Sequence, residues 1–403
     1  MFEPRTWADI HLDRLKANLA KVLRTIGPRV EVMAVIKADG YGHGATQVAR
    51  AALEAGATRL GVGDSTEAIE LRESGITSPI HVLGALVERE IDDVIYHRIT
   101  PTIHSLDRVE HLDRKAREQG RRLAVHLKID TGMGRLGVRP ESAEEVLRAI
   151  GETKNLRLEG IATHLSAPAE DREFTTHQLH EFKAVLARAA ALGLCVPKVH
   201  AAASAGLFLY PRARFNLVRP GIVLYGIDPF GLAREGIRLE PVLELRSQIV
   251  FLKHVAAGAR VGYGASYRTP RPTRLATVPI GYNDGYPQPL GGKGAWALVR
   301  GVRAPIVGSV NMDYVTIDVG EVPNVRVGDV VTLIGRDGAE EVRVEDLARL
   351  AGTIPYAIPC GLGKRVRRHY HSGEEAAGVE GAADSRTEPD ALRTALADEP
   401  AAA

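Results

Sequence analysis

From residue 30 to residue 224 the sequence repeats one pattern: a short apolar run, typical of a buried strand, and then a stretch with helical spacing of apolar residues. The eight predicted strands span residues 30–37, 59–63, 79–83, 99–103, 122–129, 157–164, 197–201 and 215–224. Strands that alternate with helices predict an α/β fold with a parallel sheet covered by helices. Eight such units predict a (β/α)8 TIM barrel. An open doubly wound sheet is the alternative that the pattern alone leaves open.

After Gly231 the pattern changes to short strand-like runs that are punctuated by glycine and proline. These runs span residues 243–254, 275–280, 297–299, 304–310, 314–319 and 330–334. Short strands with few helices between them predict a C-terminal mainly-β domain. We therefore expect the barrel to occupy residues 11–235 and the β domain residues 236–371, with residues 1–10 packing on the β domain.

The last 32 residues, 372–403, carry eight acidic and two basic side chains and no aromatic residue. Such a segment buries too little apolar surface to offset its ordering entropy, so we predict a disordered tail. The chain has only two cysteines, which argues against a disulfide framework and favours a reducing compartment. A formal net charge of +2, the lack of a transmembrane-length apolar run and the lack of a leader pattern predict a cytoplasmic protein without nucleic-acid or membrane partners.

Lys37 ends the first predicted barrel strand and is followed by a turn with three glycines, Gly40, Gly42 and Gly44. Active sites of such barrels lie at the carboxyl ends of the strands. A lysine in a partly apolar setting can lose its proton and become a nucleophilic amine. An imine to an aldehyde cofactor requires such an amine. A surface lysine that caps the end of a strand is the alternative at this position.

Polar residues also follow the later barrel strands, where they would face the same end of the barrel. They are Lys128, Asp130, Thr131, Arg135, His164, Ser166, His200, Ser204, Arg219 and Tyr225. Barrels often bind phosphate in the loops after strands seven and eight, which here contain Ser204 and the turn 219–221. Each residue alone could instead be a helix cap or part of an ion pair. As a set, they favour a phosphate-bearing cofactor beside a reactive lysine.

Several segments of the sequence resemble, in order, the motifs of the alanine racemases. They are Val35–Gly44 (VIKADGYGHG), Lys128–Gly137 (KIDTGMGRLG), Val218–Gly226 (VRPGIVLYG), Tyr263–Tyr267 (YGASY), Pro279–Gly285 (PIGYNDG) and Asn311–Asp313 (NMD). The resemblance extends from about Trp7 to Tyr370. Several motifs at family spacing are far more specific than one glycine-rich pattern.

The resemblance implies a pyridoxal 5'-phosphate enzyme that interconverts L-alanine and D-alanine and so supplies D-alanine for peptidoglycan. It implies a two-base mechanism in which Lys37 holds the cofactor as an imine and serves the D-alanine side of the substrate. Tyr263 from a second subunit would serve the opposite face. The implied active unit is a homodimer whose active sites are shared between subunits.

The resemblance also implies roles for the remaining site residues. Arg219 would face the pyridine nitrogen, and because arginine is a permanent donor it cannot protonate that nitrogen appreciably. His164 and His200 would join Arg219 to the active tyrosine. The implied cofactor-binding residues are Lys37, Tyr41, His164, Ser204, Arg219, Gly221, Ile222 and Tyr356; the implied substrate-binding residues are Arg135, Met312 and Asp313. No metal is implied.

Lys128 is a possible carbamylated lysine by the same resemblance, and its negative charge would then position Arg135. An ordinary lysine that pairs with Asp130 is the alternative, and the sequence leaves both open.

Three other functions compete with this interpretation. A broader amino-acid racemase of the same fold would accept serine or larger side chains. A related barrel decarboxylase is disfavoured, because the chain lacks a triple-glycine phosphate loop and has Arg219 where those enzymes use an acidic residue. A non-catalytic cofactor-binding barrel would need only the first 230 or so residues.

Overall fold

A computed structural model describes residues 4–373. Apart from Ser372 and Gly373, the predicted disordered tail lies outside the described residues. The strands are β1 (Thr6–His11), β2 (Glu31–Val35), β3 (Arg59–Val62), β4 (Ile80–Val82), β5 (Thr102–Ile103), β6 (Leu123–Lys128), β7 (Leu156–Ala162), β8 (Lys198–His200), β9 (Leu217–Val218), β10 (Leu243–Gln248), β11 (Phe251–Val255), β12 (Arg260–Val261), β13 (Tyr267–Arg268), β14 (Thr273–Val278), β15 (Trp296–Val299), β16 (Val302–Pro305), β17 (Val315–Asp318), β18 (Val330–Asp337), β19 (Glu340–Val342) and β20 (Arg367–His371). The helices are α1 (Leu12–Ile26), α2 (Lys37–Tyr41, a single turn), α3 (Ala45–Glu54), α4 (Ser65–Glu73), α5 (Ile91–Tyr96), α6 (Leu106–Glu118), α7 (Ala143–Glu152), α8 (Arg172–Ala191), α9 (Ser204–Leu209), α10 (Val344–Ala351) and α11 (Ala357–Cys360).

Strands β2 to β9 form a closed parallel barrel. Their two four-stranded halves have the orders β4-β3-β2-β9 and β5-β6-β7-β8. Parallel bridges join the halves on both sides, one between His81 and Thr100 and the other between Ala203 and Arg219. A ring with both junctions closed is a (β/α)8 barrel, which confirms the predicted fold and excludes the open doubly wound sheet.

The barrel helices have the amphipathic pattern that the sequence predicts. In α7, for example, Val146, Leu147 and Ile150 are buried, whereas the acidic residues of its first turn are not. Three of these helices begin at a polar cap, since the side chains of Asp64, Ser105 and Asp171 accept hydrogen bonds from the first turns of α4, α6 and α8. These caps satisfy backbone N–H groups that would otherwise have no partner.

The eighth barrel strand is much shorter than predicted. The sequence predicts a strand over 215–224, but β9 comprises only Leu217 and Val218, and a 3-10 helix follows at Ile222–Tyr225. Pro220 has no backbone N–H to donate to a neighbouring strand, so the ladder cannot continue through it. The residues of the 3-10 helix are buried, and a buried turn gives the same apolar run as a buried strand.

The β domain is a mixed assembly of sheets rather than one sheet. Its largest sheet has the strand order β16-β15-β18-β10-β1-β20, and β19 pairs with β18. The N-terminal strand β1 pairs antiparallel with β10 and parallel with β20, so both ends of the described chain lie in this sheet. The predicted strand 243–254 is two strands, since β11 belongs to a separate sheet with β14 and β17.

Within residues 4–373, no helix combines the length and the apolar composition needed to cross a bilayer. The same part of the chain contains no cluster of three or more histidine, cysteine, aspartate or glutamate side chains arranged to hold a metal ion.

Candidate active site

Lys37 begins a left-handed turn at the carboxyl end of β2. The φ angles of Ala38, Asp39, Gly40 and Tyr41 are 55°, 51°, 60° and 52°. Left-handed backbone costs a residue other than glycine about 1–2 kcal/mol, so neighbouring groups must stabilise this turn.

A carboxylate from the neighbouring barrel unit stabilises this turn. The side chain of Glu67 in α4 accepts hydrogen bonds from the backbone N–H of Ala38 at 2.6 Å and of Gly63 at 2.7 Å. Asp39 within the turn accepts a further hydrogen bond from the N–H of Ala45 at 2.8 Å. The turn that aims Lys37 is therefore fixed to both β3 and α3.

Nine of the predicted site residues line one cavity of about 270 Å³ at the carboxyl ends of the barrel strands. They are Lys37, Tyr41, Arg135, His164, Ser204, Arg219, Gly221, Ile222 and Tyr356. This group comes from the loops after several different strands and from the end of the β domain, so the fold brings together residues that are far apart in sequence.

One wall of the cavity has the character of a phosphate site. The backbone N–H of Gly221 points at the hydroxyl of Ser204, with 3.0 Å between N and Oγ, and both groups are buried. Tyr41 approaches so closely that a Cβ on Gly221 would lie 2.6 Å from its Oη. Burial raises the pKa of Tyr41 well above its ordinary value and that of Tyr356 to about 12. Both phenols therefore stay protonated and can donate hydrogen bonds to an anion.

Arg219 also lines this cavity, is buried, and makes five side-chain hydrogen bonds within the described chain. Its Nη1 donates to Nδ1 and to the carbonyl of His200 at 2.6 and 2.9 Å. Its Nη2 donates to the carbonyls of Thr163 and Ala201 at 2.8 and 3.0 Å, and to Nδ1 of His164 at 3.3 Å. Burial lowers the pKa of Arg219 to about 10, so the side chain is still a cation at neutral pH.

These contacts leave one donor of Arg219 for a ligand. The five bonds use the terminal nitrogens, and Nε–H has no acceptor among residues 4–373. Burial and the adjacent Arg219 also hold the pKa values of His164 and His200 well below their ordinary range. Both imidazoles are therefore neutral and accept at Nδ1. Arg219 thus has a single N–H without a partner among residues 4–373, beside a neutral histidine pair.

Lys128 lies next to this site and is half-buried. Desolvation, followed by the charges of Arg219 and Arg135, holds the pKa of its amine well below the ordinary value. The carboxylate of Asp130 is occupied elsewhere, because its Oδ1 accepts the backbone N–H groups of Gly132, Met133 and Gly134 at 3.0, 2.9 and 3.0 Å. This geometry argues against a Lys128 that pairs with Asp130.

Three of the predicted residues of the β domain, Tyr263, Met312 and Asp313, do not lie in this cavity. Tyr263 and Met312 have 78% and 53% of their surfaces exposed. Asp313 accepts a hydrogen bond from Arg365 at 2.8 Å, and Arg365 also binds both carboxylate oxygens of Asp284. A single chain therefore contains all of the predicted cavity residues but leaves its Tyr263 and Met312 on a surface.

Comparison with known proteins identifies the family. The model of the alanine racemase N-terminal domain matches residues 10–229, and that of the alanine racemase C-terminal domain matches residues 242–370. The chain belongs to the alanine racemase family. The alanine racemase of Halothermothrix orenii is 41% identical over 366 residues, which cover 91% of this chain and 96% of that protein.

Solved structures of alanine racemases share the fold. That from Clostridium difficile 630 superposes with a TM-score of 0.87 at 34% identity, covering 93% of this chain and 97% of that one. The alanine racemase from Bartonella henselae, solved with covalently bound pyridoxal phosphate, has a TM-score of 0.83 at 31% identity, covering 92% of this chain and 100% of that one.

Four residues around this alanine racemase site were not predicted from the sequence: Glu67, Arg59, His126 and Glu159. Glu67 lies three positions after the cap Asp64, which is the spacing of a capping box. In the structure its carboxylate serves the turn after Lys37 instead. The other three lie in barrel strands or next to them, and polar residues inside predicted buried strands were the signal for them.

Proposed function

We propose that this chain interconverts L-alanine and D-alanine with pyridoxal 5'-phosphate, which Lys37 holds covalently. The observation that carries the proposal is that Lys37, the phosphate-type wall around Ser204 and the free Nε–H of Arg219 line one cavity. The three groups match the aldehyde, the phosphate and the ring nitrogen of that cofactor. Membership of the family and the pyridoxal phosphate in the Bartonella henselae structure support the same assignment.

The residues of the site fit pyridoxal 5'-phosphate. Ser204, Tyr41, Tyr356 and the backbone at Gly221 and Ile222 would hold the phosphate through neutral hydroxyl and N–H donors. Arg219 would donate Nε–H to the ring nitrogen. When bound, the cofactor supplies an electron-withdrawing ring that makes the α-proton of the amino acid easier to remove.

Arg219 would limit how strongly the cofactor ring withdraws electrons from the substrate. Arginine with a pKa of about 10 keeps its own proton, so it donates a hydrogen bond without transferring the proton to the ring nitrogen. An acidic partner such as a carboxylic acid would instead give a stronger electron sink. We infer that this arrangement favours return of a proton to the α-carbon over loss of the carboxylate, which argues against a decarboxylase.

Racemisation requires proton transfer on both faces of the substrate. Lys37 would move the proton on the D-alanine side from within the barrel. The second base would be Tyr263, which is exposed on its own chain, as is Met312. We therefore propose a homodimer in which Tyr263 and Met312 of each subunit complete the cavity of the other, while Arg135 and Asp313 position the substrate.

We also propose that Lys128 is carbamylated. The nitrogen of its unprotonated amine can attack the carbon of carbon dioxide: the N–C bond forms, one C–O π bond breaks to leave a carboxylate, and one proton is released from the nitrogen. The resulting anion would balance the neighbouring charges of Arg219 and Arg135. A ¹³C resonance of a carbamate after incubation with labelled bicarbonate, absent in Lys128→Ala, tests this.

Two measurements test the main proposal. A chiral assay with a panel of L-amino acids should show D-alanine as the main product; D-serine or larger products at equal rates would indicate the broader racemase. Borohydride reduction followed by mass spectrometry should place the cofactor on Lys37. An adduct on another lysine, or carbon dioxide release from alanine, would contradict the proposal.

The shared site has its own test. Lys37→Ala and Tyr263→Phe chains are each expected to be nearly inactive. If sites are shared, dissociating, mixing and reassembling them restores activity, because a hybrid dimer contains one intact pair. A mixture without any recovery, in which hybrid dimers are shown to form, contradicts the shared site.

A further inference from the structure

A row of buried polar side chains continues from Arg219 into the barrel, away from the cavity. His200 Nε2 lies 2.8 Å from His126 Nδ1, and His126 Nε2 lies 3.3 Å from a carboxylate oxygen of Glu159. Arg59 donates to the same oxygen of Glu159 at 3.3 Å. Barrel interiors are usually filled with branched apolar side chains. Polar groups in such a place are expensive unless each is satisfied, so this row calls for a functional reason.

The direction of every hydrogen bond in the row is determined by its two ends. A guanidinium can only donate, so His200 accepts from Arg219 at Nδ1 and carries its proton on Nε2. That proton can only be donated to Nδ1 of His126, which therefore carries its own proton on Nε2. Glu159 is a carboxylate that can only accept hydrogen bonds, and it accepts one from this Nε2–H of His126. The two ends thus select a single tautomer for both histidines.

The row also connects a buried cation to a half-buried anion. All five hydrogen bonds of Arg219 within residues 4–373 go to carbonyl oxygens and imidazole nitrogens, none of which carries a negative charge. Glu159 is the anion at the far end. The hydrogen bond from His126, together with the charge of Arg59, lowers the pKa of Glu159 to about 2, so it stays ionised at any physiological pH.

Two local features of the backbone make room for His126. The pairing register between β6 and β7 shifts between Val125 and His126, which is a bulge that changes the direction of the following side chains. Opposite the ring lies Gly160, where a Cβ would stand 2.7 Å from both Cε1 and Nδ1 of His126. The ring is thus placed by the strand and by the one residue type that leaves room for it.

We infer that His126 and Glu159 are positioning residues for Arg219. They act through His200: the carboxylate selects the tautomer that accepts from Nη1, and this holds the guanidinium so that Nε–H alone faces the cavity. The inference rests on the proposed function only in that Arg219 faces the ring nitrogen of the cofactor.

The first test uses the unmodified full chain and needs no activity. Histidine side-chain ¹⁵N NMR distinguishes a protonated Nε2 from a protonated Nδ1. We expect His126 and His200 both to be neutral with the proton on Nε2. A proton on Nδ1 of either ring, or a doubly protonated ring at neutral pH, would overturn the inference, whether or not the chain racemises alanine.

The second test is Glu159→Gln, which keeps the shape and removes the charge. Groups that orient a functional side chain through a histidine typically contribute ten- to a hundredfold, and we expect kcat to fall by about that factor while KM changes little. His200 should also lose its single tautomer in the NMR spectrum. The matched control is Glu244→Gln, which removes another buried, arginine-paired carboxylate outside the barrel.

The outcomes separate the two proposals. If Glu244→Gln lowers kcat as much as Glu159→Gln does, or if Glu159→Gln leaves both kcat and the His200 spectrum unchanged, the positioning role is wrong. If the unmodified protein does not racemise alanine but shows the expected tautomers, the proposed function fails and the hydrogen-bonded row stands.

Discussion

Gly221→Ala is the most informative single substitution in the cavity, because the structure gives its consequence at one contact. The new Cβ would lie 2.6 Å from Oη and 3.2 Å from Cζ of Tyr41. Tyr41 cannot simply turn away, because its ring is buried and packs against Tyr225 at 4.8 Å between centroids. Either the phenol or the 219–221 turn must shift by several tenths of an ångström, and both form the phosphate-type wall.

Overpacking of this kind costs about 1–3 kcal/mol. At about 2–4 °C for each kcal/mol in domains of 150 to 250 residues, thermal melting should fall by roughly 2–12 °C. The affinity for pyridoxal 5'-phosphate, titrated into the cofactor-free protein and followed by absorbance, should fall as well, since the phosphate donors are displaced.

Two variants control this experiment. Gly151→Ala adds the same methyl group in helix α7, where it meets only the tip of Leu194, and should leave cofactor binding unchanged. Adding Tyr41→Phe to Gly221→Ala removes the oxygen at 2.6 Å, so the double variant should regain part of the lost melting temperature. If Gly221→Ala has the melting temperature and cofactor affinity of the unmodified protein, the close contact does not shape this wall. The same holds if the loss in melting temperature of the double variant equals the sum of the losses of the two single variants.

Three further perturbations test other parts of the site. Tyr263→Phe should keep the cofactor on Lys37 but lower racemisation by about a hundred- to ten-thousandfold; in deuterated water it should exchange the α-proton of D-alanine faster than that of L-alanine, and equal exchange of both would contradict two bases on opposite faces. Glu67→Gln should destabilise the turn after Lys37 by about 1.5–3 kcal/mol, the contribution of hydrogen bonds to a charged group, and unchanged denaturant unfolding together with unchanged activity would show that the turn is held otherwise. Burial lowers the pKa of His43 to about 4. Between pH 6.5 and pH 4 the unfolded chain therefore binds more protons than the folded chain does. The folded state should lose about 3 kcal/mol of stability as the pH falls through that range. His43→Asn should flatten this part of the stability profile, and an equally steep profile in the variant would contradict the assignment.

An element can be located from the sequence where local signals mark its ends. Helix α4 (Ser65–Glu73) begins directly after Asp64, whose side chain accepts a hydrogen bond from the backbone N–H of Glu67. The eighth strand was predicted eight residues too long, because Pro220 interrupts a buried run in which strand and turn look alike. Local signals therefore locate elements, and hydrogen-bonding capacity decides where they stop.

The same distinction applies to the site. Residues at strand ends, such as Lys37 and Ser204, were predictable because every barrel strand points its carboxyl end at the same place. Glu67 was not, because it acts on the backbone N–H of Ala38, and the sequence does not reveal which N–H groups a turn leaves without partners. Contacts to backbone depend on the conformation of the turn. Within residues 38–41, Gly40 is the one glycine that indicates a left-handed conformation in the sequence.

Arg59, His126 and Glu159 form a polar layer where the barrel would otherwise pack apolar side chains, and this placement has a thermodynamic implication. Each member is hydrogen-bonded to the next, so removing one would leave a charge or an N–H without that partner, which is more costly than the net contribution of the intact row. Apolar residues of similar volume in all three positions would therefore destabilise the barrel less than single substitutions do. A layer with that property is not retained for stability alone. The layer connects through His200 to the guanidinium of Arg219. The benefit that offsets the cost of the layer therefore lies in the orientation and charge of the Arg219 side chain.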